Sequence, residues 1–76
     1  MLRDLVFAFD CEEGLPESLF DYAWDLIGNV LGKHVGRLFS EYVDATEGRF
    51  YLKPGTAEEC WKELCEEAKR PEPESD

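Results

Sequence analysis

Residues 10–32, DCEEGLPESLFDYAWDLIGNVLG, carry two patterns at once. Phe20, Ala23, Trp24, Ile27 and Leu31 recur at helical spacing and fall within roughly one 100° sector of a helix. Glu17, Asp21 and Asp25, four residues apart, fall outside that sector, and Asp10, Glu12 and Glu13 precede them. Extended back to Asp4, the segment holds seven acids, and no Lys or Arg occurs between Arg3 and Lys33. Those seven supply most of the net charge of -10, because the other residues carry eleven acids and eight bases. One element is therefore expected to bury a core on one side and to show charge of a single sign on another.

The limits of this helix follow from its ends. Pro16 suits the first helical turn, and Glu17 then sits at the positive end of the dipole. Gly28, Gly32 and Gly36 would each cost about 1 kcal/mol relative to Ala inside a helix. A stop near Leu31 is expected, with Gly32 as the left-handed C-terminal residue and Lys33 complementing the dipole. Leu31, Val35, Leu38 and Tyr42 keep helical spacing, so a continuation to about Tyr42 is the alternative. A strand over 35–44 with a bulge at Gly36 is preferred. The spacing Gly28-x3-Gly32-x3-Gly36 resembles a close-packing motif of membrane helices, which has no force in a segment that is not a span.

Outward from this element, residues 2–9 read as a strand. Leu5, Phe7 and Phe9 point one way and Val6 and Ala8 the other, and two apolar faces suit a central strand. Gly14 marks the loop that follows. A turn at 45–48 leads to a return strand over 49–53, with Phe50 and Leu52 inward. After the Pro54-Gly55 turn, residues 56–70 predict a helix. Thr56 and Glu59 form a capping box, and Ala57, Trp61, Leu64 and Ala68 make a buried stripe flanked by Cys60 and Cys65. Glu58–Lys62 and Glu66–Arg70 are favourable i,i+4 pairs. The expected fold class is α+β in the order β-α-β-β-α, a small three-stranded antiparallel-type sheet with two helices on one face. Residues 1–70 form a single domain, and 71–76 are an acidic tail expected to be disordered.

Seventy-six residues leave room for one core, and 43% hydrophobic content is enough to build it. A pI near 4.4 argues against direct contact with nucleic acid. Three cysteines, Cys11, Cys60 and Cys65, are an odd number and suggest reduced thiols rather than a disulfide framework. Met1-Leu2-Arg3-Asp4 lacks the basic start of a signal peptide, and no apolar run approaches a membrane span. A soluble cytoplasmic protein without cofactor or metal, a monomer or weak homodimer, is expected.

Catalytic chemistry finds little material. A nucleophile needs a base within reach, and His34 is the lone histidine. Its ordinary role is a surface or capping one. Cys60 and Cys65, five apart, lie on different parts of a helix surface rather than at metal spacing. Asp10-Cys11-Glu12-Glu13-Gly14 lacks the alternating ligands of a calcium loop. No phosphate loop or dinucleotide fingerprint occurs, so an enzyme is not expected.

The acid row is the feature that remains. A charge run on a helix is ordinarily its solvated face, yet such faces mix signs, as Glu58, Lys62, Glu66, Lys69 and Arg70 do. Like charges at i,i+4 repel and cost stability. Residues four apart stand about 6 Å apart along the axis, of the same order as the charge repeat of a nucleic-acid strand. A basic DNA-binding groove would meet Glu12, Glu13, Glu17, Asp21 and Asp25 as a phosphate backbone, with Asp10, Asp44 and Glu47 as outlying contacts. Tyr22 is expected to be exposed and Trp24 to be core.

In size, charge and this stripe, the chain resembles the small acidic phage-encoded inhibitors that mimic DNA, of which acidic anti-CRISPR proteins are the leading instance. The resemblance rests on no motif. It implies a stoichiometric inhibitor that blocks target recognition by a CRISPR effector complex in a bacterial cytoplasm. Its partner would be a basic nucleic-acid-binding protein, an effector subunit or a nuclease. Acidic immunity proteins that neutralise nucleases share the same traits. A reading of another class is a regulatory subunit that binds through an apolar sheet face lined by Val6, Ala8 and Tyr51.

Overall fold

The computed structural model describes residues 2–71. It is a small α+β fold of four helices and a three-stranded antiparallel sheet. The elements run α1 (Leu2–Ala8), β1 (Leu15–Pro16), α2 (Glu17–Val30), α3 (Lys33–Tyr42), β2 (Val43–Thr46), β3 (Arg49–Leu52) and α4 (Ala57–Ala68). The tail expected over 71–76 lies, beyond Pro71, outside the described residues.

Residues 2–8 are a helix and not the expected central strand. Leu2, Leu5, Val6 and Phe9 stand at i, i+3, i+4 and i+7, a helical stripe hidden inside a run that also alternates. Val6 and Phe9 are fully buried, while Arg3, Asp4 and Ala8 are exposed. Phe9 and Asp10 close the helix by donating to the carbonyls of Val6 (3.1 Å) and Phe7 (3.0 Å). The Phe9 carbonyl then accepts the Leu52 amide at 2.8 Å, tying α1 to the end of β3.

α2 begins at Glu17, directly after Pro16, and ends where expected. Leu31 caps it by donating to the Ile27 carbonyl at 2.8 Å, and Gly32 follows at φ +124°. The backbone favours glycine there, and a Cβ would lie 2.7 Å from His34 Cε1, so a side chain would also have to displace that ring. The chain restarts at once as α3, in place of the strand expected over 35–44. Val35, Gly36 and Phe39 are buried along it, and Leu38 and Tyr42 pack against the core. Leu38 and Phe39 are adjacent, which a strand's alternation does not allow on one face, and both fit the helical stripe. Gly28 and Gly36 do not break helices; they let α2 and α3 approach, contrary to the expectation that their spacing carries no force.

β3 is the middle strand, with β1 on one side (Leu15 opposite Phe50) and β2 on the other (Asp44 opposite Tyr51). Glu47 (φ 55°) and Gly48 (φ 80°) make the two-residue turn of the β2–β3 hairpin. The core joins α1, α2, α3, β3 and α4 through Val6, Phe9, Ile27, Phe39, Leu52 and Leu64, all essentially inaccessible. Phe20 stacks between Phe50 (centroids 4.7 Å apart, 11° between planes) and Phe39 (5.9 Å, 17°), with Phe9 edge-on to Phe39 and Phe20.

α4 forms as read, with altered ends. Thr56 does not complete the capping box: its hydroxyl donates to the Lys53 carbonyl at 2.7 Å. The i,i+4 pairs at Glu58–Lys62 and Glu66–Arg70 are not made. The one ion pair among the described residues joins Arg70 to Glu67 at 3.5 Å. At this same C-terminal end of α4, His34 Nε2 donates to the Glu67 carbonyl at 3.0 Å, so His34 caps a helix C-terminus, where a ring N–H meets the negative end of the dipole.

Candidate partner-binding surface

α2 shows three stripes. Ala23 and Ile27 face the core, with Phe20 and Leu31 packed beside them. Glu17, Asp21 and Asp25 form a second stripe, all exposed. Tyr22, Leu26 and Val30, four apart and about 100° further round, form a third and apolar one. Tyr22 and Val30 are 58% and 59% exposed. Trp24, expected in the core, is 45% exposed. It stands at the edge of the buried sector next to the acids, and its Nε1 lies against Gly36 of α3.

The acid row is unpaired. Among the described residues no Lys or Arg lies within ion-pair distance of Glu17, Asp21 or Asp25. Asp25 accepts a hydrogen bond from Asn29 Nδ2 at 3.3 Å. Asp25 also lines a small cleft of about 210 Å³ with Lys33 and Arg37 of α3, so the row is most purely acidic at its Glu17–Asp21 end.

The remaining acids fall into a second group. Asp10, Glu12 and Glu13 in the loop after α1 share an open cleft of about 580 Å³ with Glu47 at the hairpin tip, with Arg49 and Tyr51 in its wall. Gly14 pins the loop to the hairpin, since a Cβ there would stand 2.9 Å from Arg49 Cβ. The hairpin is braced by the Thr46 and Tyr51 hydroxyls, 2.8 Å apart. Asp44 lies on β2 opposite Tyr51, half-buried, and does not line this cleft. The fold thus brings Asp10, Glu12, Glu13 and Glu47 together, and holds Glu17, Asp21 and Asp25 on one helix.

The apolar sheet face expected from Val6, Ala8 and Tyr51 does not exist. Val6 and Ala8 belong to α1, with Val6 in the core, and Tyr51 stands alone on β3. Apolar surface lies instead on α2, at exposed Tyr22 and Val30 with half-buried Leu26 between them. Their i,i+4 spacing outside the core sector is the signal that could have found them in the sequence.

The thiols offer no reactive centre at Cys60: burial pushes it up to about 12 from 9.0, which keeps it protonated and a poor nucleophile. Cys11 and Cys65 are half-buried and free. Among the described residues no three His, Cys, Asp or Glu side chains converge as a ligand set, and no helix is long and apolar enough to cross a membrane.

No family model, curated protein or solved structure matches the chain. The functional reading therefore rests on the surface itself.

Proposed function

We propose that the chain is a stoichiometric inhibitor that presents an acidic, DNA-mimicking surface to a basic nucleic-acid-binding groove. In its most specific form, it is an anti-CRISPR protein that blocks target DNA recognition by a CRISPR effector complex in a bacterial cytoplasm. One observation supports the reading: Glu17, Asp21 and Asp25 stand exposed on a single helix face with no cation paired to them. Helix neighbours of like charge at i,i+4 destabilise the element that carries them. A surface that keeps such a pattern with no ion pair to it, Lys33 and Arg37 lining only the cleft beside Asp25, fits a partner that supplies the cations. The loop and hairpin acids Asp10, Glu12, Glu13 and Glu47 offer a second negative patch for a wide basic channel. An immunity protein against a nuclease would use the same surface.

The test is competition. The purified chain is titrated into guide-loaded effector complexes, and separately into basic nucleases, each holding labelled DNA, at low and at molar salt. Displacement of DNA at one chain per complex is expected at low salt, weakened as screening shortens the reach of charge to about 3 Å. The double variant Asp21→Lys/Asp25→Lys is expected to lose displacement. Undiminished inhibition by that variant, or inhibition indifferent to salt, overturns the reading.

A further inference from the structure

We infer that the groove between α1, α2 and α4 is a docking site for an amphipathic, basic helix of a partner protein. The inference deepens the reading above and rests on it for the sign of the partner's charge. Leu2 and Leu5 of α1, Tyr22, Leu26 and Val30 of α2, and Trp61 of α4 line an open groove of about 800 Å³, with Arg3 and Asp4 at its rim. Tyr22 and Val30 are more than half exposed although each faces this apolar trough. Three helices that leave a trough between them offer the shape into which a fourth helix lays an apolar stripe.

Charge selects the occupant. The acid row does not line the groove; it stands about 100° round α2 from the groove wall, with Tyr22 and Asp25 as i,i+3 neighbours across the boundary. No base interrupts the chain between Arg3 and Lys33. Arg3 itself is turned onto the Phe7 ring, its guanidinium carbon 4.6 Å from the centroid. A second copy of this chain would bring a net charge of -10 against another of -10. A helix with apolar residues at i, i+3, i+4 and i+7 and Lys or Arg along one flank would bury its stripe against Tyr22, Leu26 and Val30 and extend its long cations round α2 past Tyr22 toward Asp25 and Asp21. The acid row then guides encounter, and the apolar anchors slow release.

The probe is a synthetic helical peptide of Leu, Ala and Lys, with the apolar residues at that spacing and Lys on the flanks. Two comparison peptides are used: one of the same composition in scrambled order, and one with Glu for every Lys. Binding is read by titration calorimetry and by amide and methyl shifts of the intact chain. The Lys peptide is expected to bind and to move the resonances of Leu5, Leu26, Val30 and Trp61. Val30→Asp, at an exposed position, is expected to weaken it by about tenfold or more with the thermal melt retained. Equal binding by the scrambled or the Glu peptide overturns the inference, as does a dimer of this chain that Val30→Asp abolishes. Shifts confined to 17–25 overturn the groove and leave the acid-row inhibitor standing. Binding through the groove that survives Asp21→Lys/Asp25→Lys overturns the basic partner, while the acid-row inhibitor is decided separately by DNA displacement.

Discussion

Gly36 of α3 lies directly against Gly28 of α2: a Cβ added to Gly36 would stand 3.5 Å from the Gly28 Cα, and 3.5 Å from both the carbonyl oxygen and Nε1 of Trp24. That contact fixes how closely the two helices approach, and it props the Trp24 indole at the edge of the acid row. Gly28 is less confined, with only the Lys33 Cα at 3.9 Å from its virtual Cβ. The two glycines therefore answer differently to substitution. Gly28→Ala is expected to raise stability by about 0.5–1 kcal/mol through helix propensity. Gly36→Val is expected to lower it by about 1–3 kcal/mol through overpacking. Urea unfolding of the two variants measures both signs.

Gly32 is held by conformation as well as by space. At φ +124° with His34 Cε1 only 2.7 Å from a virtual Cβ, Gly32→Ala must move the ring that donates to the Glu67 carbonyl. A loss of about 2 kcal/mol is expected, from backbone strain and a weakened cap on α4. His34→Ala should lose about 1 kcal/mol for the hydrogen bond alone. Because the ring cannot be displaced twice, the double variant should fall short of the sum, which a double-mutant cycle reads directly.

Reversal of one charge in the acid row should firm the fold. Asp21 has Glu17 and Asp25 one turn away on either side, so Asp21→Lys turns two repulsions into two attractions, worth a few tenths of a kcal/mol each, about 0.2–0.5. Asp25→Lys should do less, since Lys33 and Arg37 line the cleft beside it. Thermal melts at low salt, repeated at high salt, separate the two, because screening should erase the difference.

Stability should decline in alkali through Cys60. The folded thiol is pushed up to about 12, whereas its ordinary value is 9.0. Between those values the unfolded chain has released the proton and the folded chain retains it. The unfolded state binds fewer protons there, so stability falls as pH rises, and its full contribution is present below pH 9. Tyr42 acts in the same direction, raised by burial first and then by the carboxylates of Glu63 and Glu59 and by Cys60. The melting temperature of the native chain should drop above pH 9 more steeply than that of Cys60→Ala. At neutral pH, Cys11 and Cys65 should react with a thiol reagent ahead of Cys60.

Where the chain signals its structure locally, the signals were readable. Pro16 and Gly32 bracket α2, Glu47-Gly48 turns the hairpin, and the stripe from Ala57 to Ala68 makes α4. Residues 2–9 deceive because six of the eight are apolar and satisfy both periods. Leu5, Phe7 and Phe9 alternate, while Leu2, Leu5, Val6 and Phe9 wind. α3 was obscured by Gly36, which reads as a breaker in one dimension and as a contact in three. The exposure of the acid row was legible from spacing. The groove was only half legible, because Tyr22, Leu26 and Val30 announce an apolar row but Leu2, Leu5 and Trp61 reach it from remote parts of the chain. The meeting of Glu47 with Asp10, Glu12 and Glu13 is equally non-local.

The contact of α1 with α4, together with the hydrogen bond from the Leu52 amide of β3 to the Phe9 carbonyl, has a consequence for biogenesis. The segment that leaves the ribosome early waits for one that leaves late. Until Ala57 onward is available, Val6 and Phe9 lack much of their cover, so nascent fragments that lack α4 should stay protease-sensitive and folding should finish only once α4 has emerged, in one cooperative step.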